Sequence, residues 1–334
     1  MKVLITYDYE LFFGEPTGTV EKCIIEPTKR ILEIGKRTGA KFTFFIDTGY
    51  LKQLDLFKGS HSQVKKEHDL VKNQIDQIIW EGHDCQLHIH PHWEDCSHDG
   101  TSWQMVTDRY KLDDFSDDEI FRIVTEYAAI LKRWTGRPVH TYRAGGWCLQ
   151  PFERVQKAFS EIGIKYDTTV FPGGNFTAGN YYYDYTDSPK KSNWQFSNDL
   201  CREDPNGPFT EFPISSFRYS ALFFWRLFFL GRWNPKDHKP MGDGYPMPSP
   251  GLRKRMLSRG MLLSASVDGF FVTKLPKVLR RNQNRGFTET IILGHPKACT
   301  NYALQKMESF INHHKNTHDF VSFDHLLNDE NSPA

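Results

Sequence analysis

Three histidines alternate at His88, His90 and His92, with Pro91 between the last two. A proline disfavours helix at the residue before it, so the run reads as a strand end passing into a loop. Two imidazoles and one carboxylate suit a divalent metal that keeps positions open for water and substrate. The alternative is a polar loop, or a buried histidine bonded to backbone. Asp8 and Glu10 lie two residues apart, and on an extended chain they point to one side. One could bind metal while the other serves as base, and a nearby arginine would orient that base and lower its pKa. They could equally be ordinary surface acids. Two further turns carry reactive side chains, Arg143-Ala144-Gly145-Gly146-Trp147 and Gly294-His295-Pro296.

These residues follow short apolar runs that read as strands. Val3 to Thr6 precedes Asp8, Asp84 to His88 begins the histidine series, Val139 to Arg143 ends on the arginine, and Thr290 to Leu293 precedes His295. Further strands are expected at Lys41 to Ile46, Ile164 to Asp167 and Met261 to Val267. Helical patterns alternate with them: Pro27 to Gly39, Val64 to Gly82, Ser116 to Gly136 opening with a capping box, Pro151 to Gly163, Leu275 to Arg281 and Tyr302 to His313. Repeated βα units at both ends predict an α/β barrel-like domain, whose active site forms at the carboxyl ends of the strands. The rhythm breaks from about 171 to 250, a stretch rich in Gly, Pro, Asn and aromatics that reads as an insertion with one strand near Phe209 to Pro213.

Composition narrows the function. The 334 residues carry 42 Lys+Arg against 41 Asp+Glu, with 39% hydrophobic residues, so the chain is neither disordered nor dependent on disulfides. A net charge of +1 without a basic tract argues against nucleic-acid binding. No run of about 18 apolar residues predicts a transmembrane helix. The N-terminus reaches Asp8 without a signal-like stretch, and the six scattered cysteines read as reduced thiols, so a cytosolic protein is expected.

The ordered set resembles the polysaccharide deacetylase family, the NodB-homology carbohydrate esterases. It comprises Thr6-Tyr7-Asp8-Tyr9-Glu10, Thr43-Phe44-Phe45-Ile46-Asp47, Gly82 through His92, Tyr142-Arg143-Ala144-Gly145-Gly146-Trp147 and Leu293-Gly294-His295-Pro296-Lys297. The resemblance implies a distorted (β/α) barrel of about seven strands, here one domain over 1–330 with the insertion at 171–250. It implies Asp8 as catalytic base, Arg143 as the group holding it, and His295 as general acid. His88 and His92, at the family's four-residue spacing, would bind a divalent metal, usually Zn²⁺, with Co²⁺, Ni²⁺ or Mn²⁺ as other options. Glu10 becomes the third ligand, because Asp8-Tyr9-Glu10 stands where an Asp-Asp pair is usual; His90 is the rival of His92. Arg143-Ala144-Gly145-Gly146 replaces the usual Arg-x-Pro-x-Gly. Asp167 and Asp268 are candidates for the acid that supports the catalytic histidine. Tyr9, Trp93, Gly145 and Trp147 are expected to bind substrate, the two tryptophans by stacking on sugar rings.

The implied reaction removes an N-acetyl group from an amino sugar of a polysaccharide or glycan precursor. The alternatives are hydrolysis of a formyl or cyclic imide amide, or a catalytically silent glycan-binding module. Phe217 to Trp233 has bulky apolar residues interrupted by arginines. It reads as a helix packed over the barrel or in an oligomer interface, or as an interfacial helix touching the membrane surface near a lipid-linked glycan.

Overall fold

The computed structural model describes residues 1–249 and 251–330. They form two compact units, one of Met1–Thr43 with the chain from Ile214 onward, the other of Phe44–Pro213.

In the first unit the strand Lys2–Tyr9 is buried along almost its whole length, as its run of Val, Leu and Ile requires of a strand covered on both faces. It pairs in parallel with Glu289–Gly294, in register from Lys2 opposite Glu289 to Tyr7 opposite Gly294. Helix Glu26–Thr38 has Pro27 in its first turn and stops at Gly39, whose φ of 82° a side chain would resist. It packs on helix Asn301–His314, where the Thr300 hydroxyl accepts from the Ala303 amide. The expected strand at Met261 is shorter than read and runs antiparallel. Met261–Ser264 pairs with Ser216–Tyr219, and only Ser266 bridges in parallel to Leu293. Residues Phe217 to Trp233 are therefore not one helix. The first three alternate against Met261 to Leu263, and Ser220 then caps helix Ala221–Trp233 by accepting from the Phe223 amide.

In the second unit the strand order is Trp194–Phe196, Phe209–Glu211, Tyr166–Asp167, Thr141–Ala144, Asp84–Ile89 and Thr43–Asp47. The pairs from Phe209–Glu211 through Asp84–Ile89 are parallel, and Trp194–Phe196 is antiparallel to its neighbour. Helices Ser62–Trp80, Asp117–Thr135 and Glu153–Ile162 lie where the periodicity predicts. The capping box at Ser116 and Glu119 is made in both directions, and Gly136 closes that helix at φ 67°. One helix, Thr48–Phe57, was not signalled. Its Gly49 hides the pattern and has a packing reason: a Cβ there would meet the Trp93 indole at 2.6 Å. The chain is a mixed α/β protein built on parallel strands, as the alternation predicts.

Candidate active site

The parallel register in the first unit sets its chemistry. Tyr7 lies opposite Gly294, so the next residues, Asp8 and His295, leave the paired strands at the same level. His295 Nε2 stands 3.7 Å from Asp8 Oδ2 and 3.9 Å from Glu10 Oε1. On the other side of the ring, Nδ1 is 2.8 Å from Asp268 Oδ2, and the His295 amide donates to Asp268 Oδ1 at 2.8 Å. A carboxylate accepts only, so Nδ1 carries its proton and Nε2 faces the acids. Burial alone would lower the His295 pKa, but Asp268, by charge and hydrogen bond, and then Asp8 and Glu10 outweigh it and raise the value above the ordinary one. The protonated form of the ring is thus favoured. Of the two acids that spacing left open as its partner, Asp268 is the one that bonds His295.

Glu10 has a second partner that the sequence reading missed. Lys297 Nζ lies 2.8 Å from Glu10 Oε1 and donates to the Leu11 carbonyl at 2.6 Å, above the rings of Phe12 and Phe13. The signal was present two residues after His295, but a lysine beside Pro296 reads as a surface residue. Part of the supposed insertion walls this cluster. Met241 and Gly242 amides donate to the Cys299 and Lys297 carbonyls, and the Gly14 amide donates to Tyr245. Asp243 accepts from the Thr19 amide at 2.7 Å. Tyr9 is buried.

In the second unit, His88 stands opposite Arg143 in the parallel pair. His88 Nδ1 donates to the Arg143 carbonyl at 2.8 Å, which fixes the tautomer with its lone pair on Nε2. The rings of His88 and His90 have centroids 4.8 Å apart. Gly145 makes room for His90, since a Cβ at 145 would lie 2.6 Å from that ring. His92 sits in the short 3₁₀ turn Pro91–Asp95, its ring stacked parallel to Tyr110 at 5.6 Å. That turn sends Trp93 inward. Its indole has no exposed surface, donates to Asp47 Oδ2 at 2.6 Å and packs on Tyr50 and Trp103. It offers no face to a sugar ring, contrary to the expectation for it. Trp147, at φ 60°, is half-buried against Phe171 and Tyr183. The hairpin of Asn175–Ala178 and Tyr181–Asp184 supplies Tyr181 beside Tyr110, and both crowd Gly146, where a Cβ would lie 2.7 Å from each. This aromatic wall was hidden in an aromatic-rich stretch without periodicity.

Arg143 is fully buried, with Nε donating to the Thr168 carbonyl at 3.0 Å and its guanidinium over Phe45 at 4.1 Å. Asp167, the other candidate for the histidine's supporting acid, accepts from the Thr169 amide and hydroxyl, each at 2.9 Å, and stands opposite Glu211 in the parallel pair. Burial raises both carboxyls, and the charge of Asp167 raises Glu211 further.

No family model and no curated protein matches the sequence. Solved structures do match. The crystal structure of a putative polysaccharide deacetylase from Mycobacterium smegmatis is 15% identical, with a TM-score of 0.50 over 99% of this chain and 92% of that one. The fold is that of the NodB-type polysaccharide deacetylases. The crystal structure of Puue allantoinase superposes equally well, at 11% identity and a TM-score of 0.50 over 96% of this chain and 86% of that one. A CE4 family pseudoenzyme from Bacillus anthracis matches at 13% identity and a TM-score of 0.41, over 98% of this chain and 65% of that one. Among the described residues, no helix is long and apolar enough to cross a membrane.

Proposed function

We propose that this protein is a metal-dependent hydrolase that removes an N-acetyl group from an amino sugar of a polysaccharide or glycan precursor. One observation carries the reading: His295 is fixed by Asp268 through one ring nitrogen and turns the other toward Asp8. Asp8 takes the proton of the attacking water, and His295 gives its own to the leaving amine. An amide needs that second transfer, because an unprotonated amine is a very poor leaving group. The raised pKa of His295 supports its part.

We assign His88 and His90 as metal ligands, with Glu10 as the third ligand that the resemblance implies. The donor set fits: the tautomer of His88 leaves Nε2 as a donor toward a cation, with the Arg143 carbonyl behind it as the outer partner that ligating histidines usually have. His90 replaces His92 in this assignment because its ring adjoins that of His88, whereas His92 lies flat on Tyr110. When bound, a divalent ion, most simply Zn²⁺, would supply Lewis-acid activation of water and carbonyl. Arg143 is assigned to positioning Asp8, as the resemblance implies, and Trp147 with Gly145 to the substrate side of the site; Tyr9, as fully buried as Trp93, offers no face to a sugar ring. We read the substrate as cytosolic, in keeping with the scattered cysteines of the sequence.

A panel of N-acetylated mono- and oligosaccharides, lipid-linked intermediates, chitin and peptidoglycan, assayed for acetate release with and without Zn²⁺, tests the proposal. Release from at least one sugar that stops with chelator and returns with metal is expected. The fold shared with an allantoinase favours a second reading, opening of a cyclic amide, and release confined to such rings would select it. No release from any sugar or ring, with metal bound, would leave a silent binding module.

A further inference from the structure

Helix Ala221–Trp233 is covered on one side only. Phe223 and Phe224 are buried with Tyr219 and Met261, against Phe270 and Phe271. Leu222, Trp225, Phe229 and Trp233 are instead 61%, 58%, 59% and 78% exposed. At about 100° per residue these four fall in one stripe about 80° wide. Arg226 borders the stripe on one side and Arg232 on the other, both exposed.

The neighbouring helix Leu252–Arg259 extends this surface. Trp225 Nε1 donates to the Leu257 carbonyl at 3.1 Å, and the Arg253 guanidinium lies 4.9 Å over the Phe228 ring. Arg253, Lys254, Arg255 and Arg259 are all exposed. No Asp or Glu occurs from 212 to 236 or from 244 to 267. Two adjacent helices thus present six cations and no acid around an exposed row of Leu, Trp, Phe and Trp. Between them a shallow cleft of about 470 Å³ is lined by Trp225, Arg253, Lys254, Leu257 and Ser258.

We propose that this face is a docking surface for an anionic lipid bilayer. Aromatic rings at the level of the headgroups with arginines and lysines beside them match the chemistry of such a surface, apolar within and phosphate-bearing outside. Thirteen helical residues extend about 20 Å, short of the roughly 30 Å hydrocarbon core, so the helix lies in the interface and does not span. A second copy of the chain fits worse, because a self-complementary contact would press six cations against six others. The inference does not rest on the deacetylase reading, and its test needs no turnover.

Cosedimentation of the full chain with vesicles of phosphatidylcholine alone, or with about 30% phosphatidylglycerol, tests it. Binding to the anionic vesicles is expected, weakened by raising the salt from about 0.1 M to 0.5 M. Both Phe229→Ser/Trp233→Ser and Arg253→Glu/Arg255→Glu should cut the partition about tenfold or more while leaving the circular dichroism spectrum unchanged. The inference is overturned by failure to bind either vesicle, by equal binding to both with the arginine variant unaffected, or by a concentration-dependent dimer that the Phe229/Trp233 variant abolishes.

Discussion

Asp167 ends a strand and Asp268 lies a few residues past one, and the sequence offers each as the partner of a catalytic histidine. Their surroundings divide them. Asp268 faces an imidazole, and the two charges support each other. Asp167 faces another carboxyl, Glu211, inside a fully buried pair in which burial raises both. One arrangement readies a proton for transfer near the strand end. The other sets two carboxyls against each other away from solvent. Residue type and position along a strand do not distinguish them; the element placed opposite does.

The largest effects are expected at the reactive end of this contrast. His295→Ala or Asp8→Asn should lower turnover by about 10²- to 10⁴-fold, the usual worth of a positioned acid or base, while metal content stays unchanged. A loss under about tenfold in both would remove the acid–base assignment. Metal content sharpens the second unit. His90→Ala should lose bound Zn²⁺ on dialysis and His92→Ala should keep it, and the reverse result would return the site to the four-residue spacing of His88 and His92.

Asp268→Asn is the next step down. It keeps the shape but removes the charge that raises His295, so the alkaline limb of the rate profile should move to lower pH. The same raised value implies a stability term fully present below the ordinary histidine pKa of about 6.5 and lost as pH rises through the folded-state pKa. Asp268→Asn should therefore cost more stability at pH 6 than at pH 9. Coincident profiles for variant and wild type would show that Asp268 merely packs. The smallest effect belongs to the buried pair. A carboxyl raised on folding holds its proton in the native state after the unfolded chain has released it, so its contribution falls as pH rises above about 4.3. Glu211→Gln mimics the protonated form and should raise the melting temperature at pH 8 but hardly at pH 4. Destabilisation at pH 8 would mean that Glu211 is ionised.

Much of the reactive end was legible because an apolar run followed by polar residues marks a strand end, and parallel pairing brings such ends level. The strand ends that carry Asp8, His88, Arg143 and His295 were located that way. Asp268 lies 27 residues before His295, and no local pattern ties them; the bond to the His295 amide and ring exists only once the chain returns. Trp93 misled because a tryptophan beside a histidine looks like a pocket wall, whereas a 3₁₀ turn carries it to Asp47. Ser216–Tyr219 misled because aromatic residues suit strand and helix alike, and only Met261–Ser264 opposite decides between them.

The most direct measurement is the titration of the His295 imidazole by NMR, in the wild-type protein and in Asp268→Asn. The account predicts a pKa above the ordinary histidine value, with Nδ1 protonated throughout, and a lower pKa in the variant. A wild-type ring that titrates at or below the ordinary value, or that is unaffected by loss of the Asp268 charge, would contradict it.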